Sequence, residues 1–185
     1  MPGTLAGLPS QDVRKVGMTS NQHGPYVWGY TRVTMESTEG CTIETDQLAL
    51  IPDSYIDMTA EKIRIYKELD SLTSDKEMEH MKERLADRYG ALPEELLRLF
   101  EIVKVRQLGQ KLGFEKIIIK NGVMIAFFIS NPLSQYYRSE VFARILENVS
   151  LNPTLYELKQ NDNRLRVFSK NVDGISKAYS ILKKL

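Results

Sequence analysis

The chain predicts an α+β fold with a mostly antiparallel sheet: a three-helix N-terminal part followed by two β-hairpin-plus-helix units. Three observations carry this reading. Between Ala60 and Gly113, apolar residues recur at helical spacing in three successive runs. Asn121-Gly122 and Asn161-Asp162-Asn163 each separate two runs suited to strands, as hairpin turns do. A helical pattern follows each hairpin, an order that places helices on one side of an antiparallel sheet.

The first forty residues differ from the rest. Met1 to Gln22 scatters Gly, Pro, Ser, Thr and Asn without sustained periodicity, a composition that buries little apolar area. Residues 1–40 therefore read as an arm or an incomplete element, and residues 41–185 as a single domain. Tyr26, Val27, Trp28, Tyr30 and Val33 suit a pleated surface and predict a strand, although no partner for it is evident. Thr42 to Leu50 reads as extended chain up to Ile51-Pro52, because proline disfavours helix in the residue before it.

The first helix carries Ile63, Tyr66, Leu69 and Leu72 on one face. Ser74-Asp75-Lys76-Glu77 opens the second with a capping box, and Met78, Met81, Leu85 and Tyr89 form its stripe. Gly90 stops that helix by accepting a left-handed conformation, and Pro93 starts the third. The third helix is acidic at its start (Glu94, Glu95) and basic towards its end (Arg106, Lys111), as the macrodipole favours. Leu96, Phe100 and Val103 give its buried line, and Gly113 closes it. Phe114–Lys120 and Val123–Ile129 then form the first hairpin, broken by Asn131-Pro132. Ser134 to Val149 predicts one helix through Tyr137, Val141, Ile145 and Val149. Leu155–Gln160 and Leu165–Ser169 form the second hairpin. The last helix runs from about Val172, with Ile175, Ala178, Tyr179 and Leu182 inward.

Composition narrows the function classes. Apolar content of 42% and charged content of 26% are ordinary for a globular protein, and a net charge of +1 supplies no global field for nucleic acid. One cysteine, Cys41, excludes an internal disulfide and suits a reducing, cytoplasmic setting. It reads as an unpaired, buried or half-buried thiol. Neither a metal-ligand spacing nor a nucleophile motif is present, so no catalytic, cofactor or metal residue is assigned, and a small-molecule enzyme is the weakest reading. The histidines His23 and His80 read as surface residues.

The most specific stretch is the elbow Asp87-Arg88-Tyr89-Gly90-Ala91-Leu92-Pro93, which sets the angle between two helices. Asp87 and Arg88 have two readings, a local ion pair at a helix end or a contact with a partner. Arg88 reads as a brace whose fork bonds carbonyls left open at the helix C-terminus, and Tyr89 as core. Arg88, Tyr89, Gly90 and Pro93 thus form the structural corner. Lys104, Arg106, Lys111, Lys116 and Lys120 are a solvated basic face in the simpler reading and a DNA patch in the other. Tyr136 and Tyr137 beside Arg138 divide likewise, between core packing with a cap and stacking on bases.

Four segments stand in sequence: Ile51-Pro52-Asp53-Ser54-Tyr55-Ile56, Lys62-Ile63-Arg64-Ile65-Tyr66-Lys67, Leu85-Ala86-Asp87-Arg88-Tyr89-Gly90-Ala91-Leu92-Pro93 and Arg106-Gln107-Leu108-Gly109-Gln110-Lys111-Leu112-Gly113. From about Cys41 onward they resemble the C-terminal (TRCF) domain of bacterial transcription-repair coupling factors. The resemblance implies a parent ATP-dependent DNA translocase, using ATP and Mg, that binds duplex DNA, displaces stalled RNA polymerase and recruits the UvrA excision-repair machinery. No Gly-x-x-x-x-Gly-Lys-Ser/Thr phosphate loop is present in this chain, so the motor is not in it. The resemblance further implies a non-catalytic role: packing on a UvrB-like N-terminal module of the same protein, masking its UvrA-binding surface and restraining the motor. In the family two acids three residues apart meet that module. Asp87 matches the second; Arg84 stands at the first with reversed charge, and Glu83 is a substitute carboxylate. A nucleic-acid-binding module, using the basic third helix and the hairpins, is the alternative.

Overall fold

The computed structural model describes residues 40–161 and 164–185, together with the backbone of three strands before them. Those strands are β1 (Met18–Asn21), β2 (Gly24–Trp28) and β3 (Val33–Met35). Then come β4 (Thr42–Thr45), α1 (Thr59–Ser71), α2 (Asp75–Tyr89) and α3 (Glu94–Leu112). The hairpin β5 (Phe114–Lys120) and β6 (Val123–Phe128) leads through a 3₁₀ turn, Gln135–Arg138, to α4 (Glu140–Leu151). A second hairpin, β7 (Glu157–Asn161) and β8 (Arg164–Lys170), precedes α5 (Ile175–Leu182).

The fold is α+β, as the sequence predicts. Among the described residues, the sheet has six strands in the order β3-β4-β5-β6-β8-β7, antiparallel except where β4 runs parallel to β5. Tyr26, Val27 and Trp28 do lie in a strand, and its partner is the β1 segment, which carries no periodic signal. Val33 belongs to β3, which joins the main sheet through β4; Tyr30 lies outside the described residues.

Glycine and asparagine punctuate the chain where the turn chemistry requires. Asn121 (φ 52°) and Gly122 (φ 72°) both take positive φ, as a two-residue hairpin that follows the strand twist demands. The capping box of α2 is complete: Ser74 Oγ accepts from Glu77 N (3.3 Å), and Glu77 Oε2 accepts from Ser74 N (3.1 Å).

The helix predicted over 134–149 is two pieces. Ser139 interrupts it, ending the 3₁₀ turn and capping α4 by accepting from Phe142 N (3.2 Å). The break lets Tyr136 fold back over Gly113 and donate to Leu112 O (2.5 Å). The last helix starts at Ile175 instead of Val172, because Gly174 (φ 99°) turns the chain there and Gln47 Oε1 accepts from Ile175 N (3.0 Å). Within α5 it is Ile181 that is buried beside Ile175, Ala178 and Leu182, while Tyr179 is half-buried.

Helix α3 is the spine of the core. It buries Leu96, Leu99, Phe100, Ile102, Val103, Val105, Arg106, Gly109 and Leu112, residues that together face nearly every direction around its axis. The segment Arg106 to Gly113 shows why those residue types stand there. Arg106 reaches Asp70 at the end of α1, and Gln107 donates to Leu72 O (2.7 Å), satisfying a carbonyl beyond that helix. A Cβ on Gly109 would meet Cys41 Sγ and Ile117 Cδ1 at 2.8 Å each, so the missing side chain is what lets β4 and β5 lie against the helix. Cys41 is wholly buried, and burial pushes its thiol up to about 12, leaving a packing residue without a reactive thiolate.

Candidate functional site: the helical elbow

The elbow is built by α2, α3 and the loop before α1. Gly90 donates its N–H to Ala86 O (2.9 Å) and turns the chain at φ 87° and ψ −168°. This positive-φ conformation is extended in ψ, not left-handed helical, and it favours glycine all the same. Pro93 precedes α3, and its carbonyl accepts from Leu96 N and Leu97 N (3.1 Å each). Tyr55 closes the corner from behind: its hydroxyl sits between Leu85 O (3.1 Å) and Gly90 O (3.0 Å).

Tyr55 is therefore the brace of the helix-end carbonyls, a role the sequence reading assigns to Arg88. Arg88 instead lies 62% exposed on the outside, with Nη1 3.3 Å from Glu61 and its guanidinium 5.1 Å over the Tyr89 ring. The hydroxyl needed at the carbonyls comes from a residue more than one helix away in sequence, so no local spacing reveals it. Tyr89 is half-buried, packing 5.8 Å from Tyr55 and donating its hydroxyl to Glu61 Oε1 (2.6 Å).

The charges on the outer side of this corner divide into two sets. Glu61 on α1 gathers Arg64 (2.7 Å), Arg88 and Tyr89, and Glu68 pairs with Arg84 and lies 3.9 Å from Arg64. Arg84 is thus drawn into an ion pair within the domain. Glu83 and Asp87 stand four residues apart on α2, both exposed, and their side chains make no hydrogen bond or ion pair to any described residue. The elbow presents two uncompensated carboxylates on a rigid helix, while its arginines are held by α1.

The Glu61 cluster has a pH signature. Hydrogen bonds from Arg64 and then Tyr89 hold the Glu61 carboxyl down at about 2, against 4.5 for the free side chain. A folded value below the unfolded one contributes stability above the unfolded value and loses it as pH falls through the folded one. The elbow should therefore weaken between about pH 4.5 and about pH 2, and Glu61→Gln should flatten that part of the curve. Urea midpoints measured across this range check it; parallel curves for the two proteins would contradict the assignment.

The basic residues of the alternative reading do not form one surface charge. Arg106 is buried against Asp70, Lys104 pairs with Asp75 (3.5 Å), and Lys116 (2.7 Å) and Lys120 (3.3 Å) share Glu44. Tyr136 and Tyr137 donate to Leu112 O and Ile129 O, and their rings pack with Phe142, so they are core and cap and not a stacking platform. Arg138 and His80 are exposed, and His23 lies outside the described residues. No helix among the described residues is long and apolar enough to cross a membrane.

The family model of the TRCF domain matches residues 45–139, just over half of the chain and inclusive of the elbow and the Arg106–Gly113 segment. The chain belongs to the TRCF domain family. Transcription-repair-coupling factor of Rickettsia bellii is 33% identical over 134 residues, covering 72% of this chain and 11% of that protein. The Rickettsia prowazekii protein is 34% identical over 124 residues (66% and 10%), and that of Escherichia coli 34% over 85 residues (46% and 7%). This TRCF domain thus spans about a tenth of the length of these Rickettsia relatives. A crystal structure of the C-terminal domain of transcription-repair coupling factor shares the fold, with a TM-score of 0.63 at 19% identity, over 79% of this chain and 92% of that one.

Proposed function

We propose that this TRCF domain is a non-catalytic regulatory lid within a transcription-repair coupling factor, an ATP-dependent DNA translocase. It packs on the UvrB-like N-terminal module of the same protein, masks the surface that takes UvrA, and restrains the motor until RNA polymerase is engaged. ATP and Mg serve the motor, and duplex DNA is the motor's track; the lid contributes a docking face. The observation that carries this reading is the exposed pair Glu83 and Asp87, left without partners beside arginines that α1 neutralises. A carboxylate pair on a preorganised helix suits a basic surface, where complementary charge sets register and speeds encounter.

Asp87→Lys should weaken association of this chain with the separately made N-terminal module by at least about tenfold, with little change in melting temperature, because the exposed Asp87 side chain has no hydrogen bond or ion pair to a described residue to lose. Calorimetry on the two pieces measures it. In the full-length protein the same change should raise UvrA binding. Unaltered affinity in both assays would refute the lid.

A further inference from the structure

The helices cover one face of the sheet, and the other face carries a regular pattern. On the core side lie Ile117, Ile119, Met124, Ala126, Val167 and Ser169, all buried. The opposite side of the three central strands is a grid fixed by register. Arg166 pairs across to Phe127 and Phe127 to Lys116; Phe168 to Ile125 and Ile125 to Ile118; Lys170 to Val123 and Val123 to Lys120. Four cations occupy the corners, and five apolar side chains form the cross between them. Those five are only half-buried and stand outside the core cluster.

We propose that this face binds an amphipathic helix whose apolar stripe is flanked on both sides by carboxylates, lying along β6. The dimensions agree. The outer strands of the grid, β5 and β8, lie about 10 Å apart, close to the roughly 10–12 Å width of a helix. The corner cations of one strand stand four residues, or about 13 Å, apart, so each side meets acids over roughly nine residues of helix.

The charges agree as well. Beside the four corner cations β4 offers Glu44, shared by Lys116 and Lys120, and β7 offers Glu157, which stands opposite Phe168 and is paired with Lys159 (3.2 Å). Arg166 and Lys170 have no carboxylate partner among the described residues, and the Arg166 Nε is sealed from solvent without an acceptor. A helix also brings its own backbone hydrogen bonds, which a ligand over the interior of a sheet needs, since every strand beneath it is already paired.

Single-stranded nucleic acid fits less well. Stacking needs free ring faces, and here Lys159 lies 4.4 Å over Phe168, while Arg164 and Arg166 lie 5.1 and 5.9 Å over Phe127. The rest of the cross is aliphatic.

Fluorescence anisotropy on the 185-residue chain tests the assignment with three labelled probes. These are a synthetic amphipathic helix with a leucine stripe flanked by glutamates, its lysine-flanked twin, and a short oligothymidylate. The glutamate helix should bind, and the lysine helix and the oligonucleotide should not. Ile125→Asp should weaken binding by at least about tenfold. The double variant Arg166→Glu, Lys170→Glu should lose the glutamate helix and gain the lysine helix, an exchange that loss of folding cannot produce. Equal binding of the two helices, tighter binding of the oligonucleotide, or an unaltered preference in the double variant would overturn it. Because neither probe nor variant involves the elbow, the result is independent of the lid.

Discussion

Gly113→Ala should destabilise the domain by roughly 3 kcal/mol, from two terms that act together. Gly113 closes α3 in the left-handed region at φ 79° and ψ 28°, where alanine suffers a clash between its Cβ and the following carbonyl, about 1–2 kcal/mol. The added Cβ would also stand 2.1 Å from Tyr136 Cε2 and 2.5 Å from Cζ. The ring cannot swing aside freely, since its hydroxyl is tied to Leu112 O and its faces pack with Phe128, Tyr137 and Phe142. Gly122→Ala separates the two terms. It has a similar φ of 72° but open space around its Cβ, so only the backbone term applies. Urea unfolding of both variants should show Gly113→Ala losing about twice as much as Gly122→Ala. Equal losses would mean that the tyrosine lid over the helix end is not tightly packed.

Asp70→Ala should cost about 3 kcal/mol, more than Arg106→Met, although the two substitutions remove the same ion pair. Arg106 is 4% exposed on α3; its fork holds the Asp70 carboxylate with one arm and Asp70 O (2.8 Å) with the other. Removing the acid leaves a guanidinium in the core with one carbonyl for company. Removing the arginine leaves a carboxylate that is 31% exposed and keeps part of its hydration, and methionine refills much of the space. Denaturant unfolding of the two single variants and the double variant would give the coupling. Equal costs for the two single changes would show that the charge at 106 finds water or another partner once Asp70 is gone.

Much of the architecture is written in short-range signals. The Ser74–Glu77 box, Asn121-Gly122, Gly113 and the elbow each act over a few residues through backbone conformation and local hydrogen bonds, and all form where the pattern places them. The inward residues of α2 follow the same logic, because that helix buries a single face. The reading weakens where a residue's partner is distant. Arg106 looks like one more cation on a solvated face, because α3 is buried nearly all round and its sequence carries little contrast between sides. Tyr55 takes the bracing role expected of Arg88, because its hydroxyl reaches the corner from a distant part of the chain while Arg88 turns to Glu61. Ser139 divides a helix-like pattern by ending the 3₁₀ turn, whose Tyr136 ring lies over Gly113, and by capping α4, and both contacts are distant from or hidden within the apolar spacing.

From residue order alone come the α+β class, the two hairpins, the caps, the elbow and the resemblance that led to the TRCF family. Tertiary structure decided the rest: that β4 lies parallel beside β5, that β8 and not β7 joins β6, that α1 neutralises Arg84 and Arg88 while Glu83 and Asp87 stay unpaired, and that one face of the sheet is left with its apolar cross and four cations. Turns and caps are energies of a few neighbouring groups, so their spelling is local. Strand order, burial of charge and the choice of ion-pair partner are set by which distant surfaces meet, and no window along the chain contains that information.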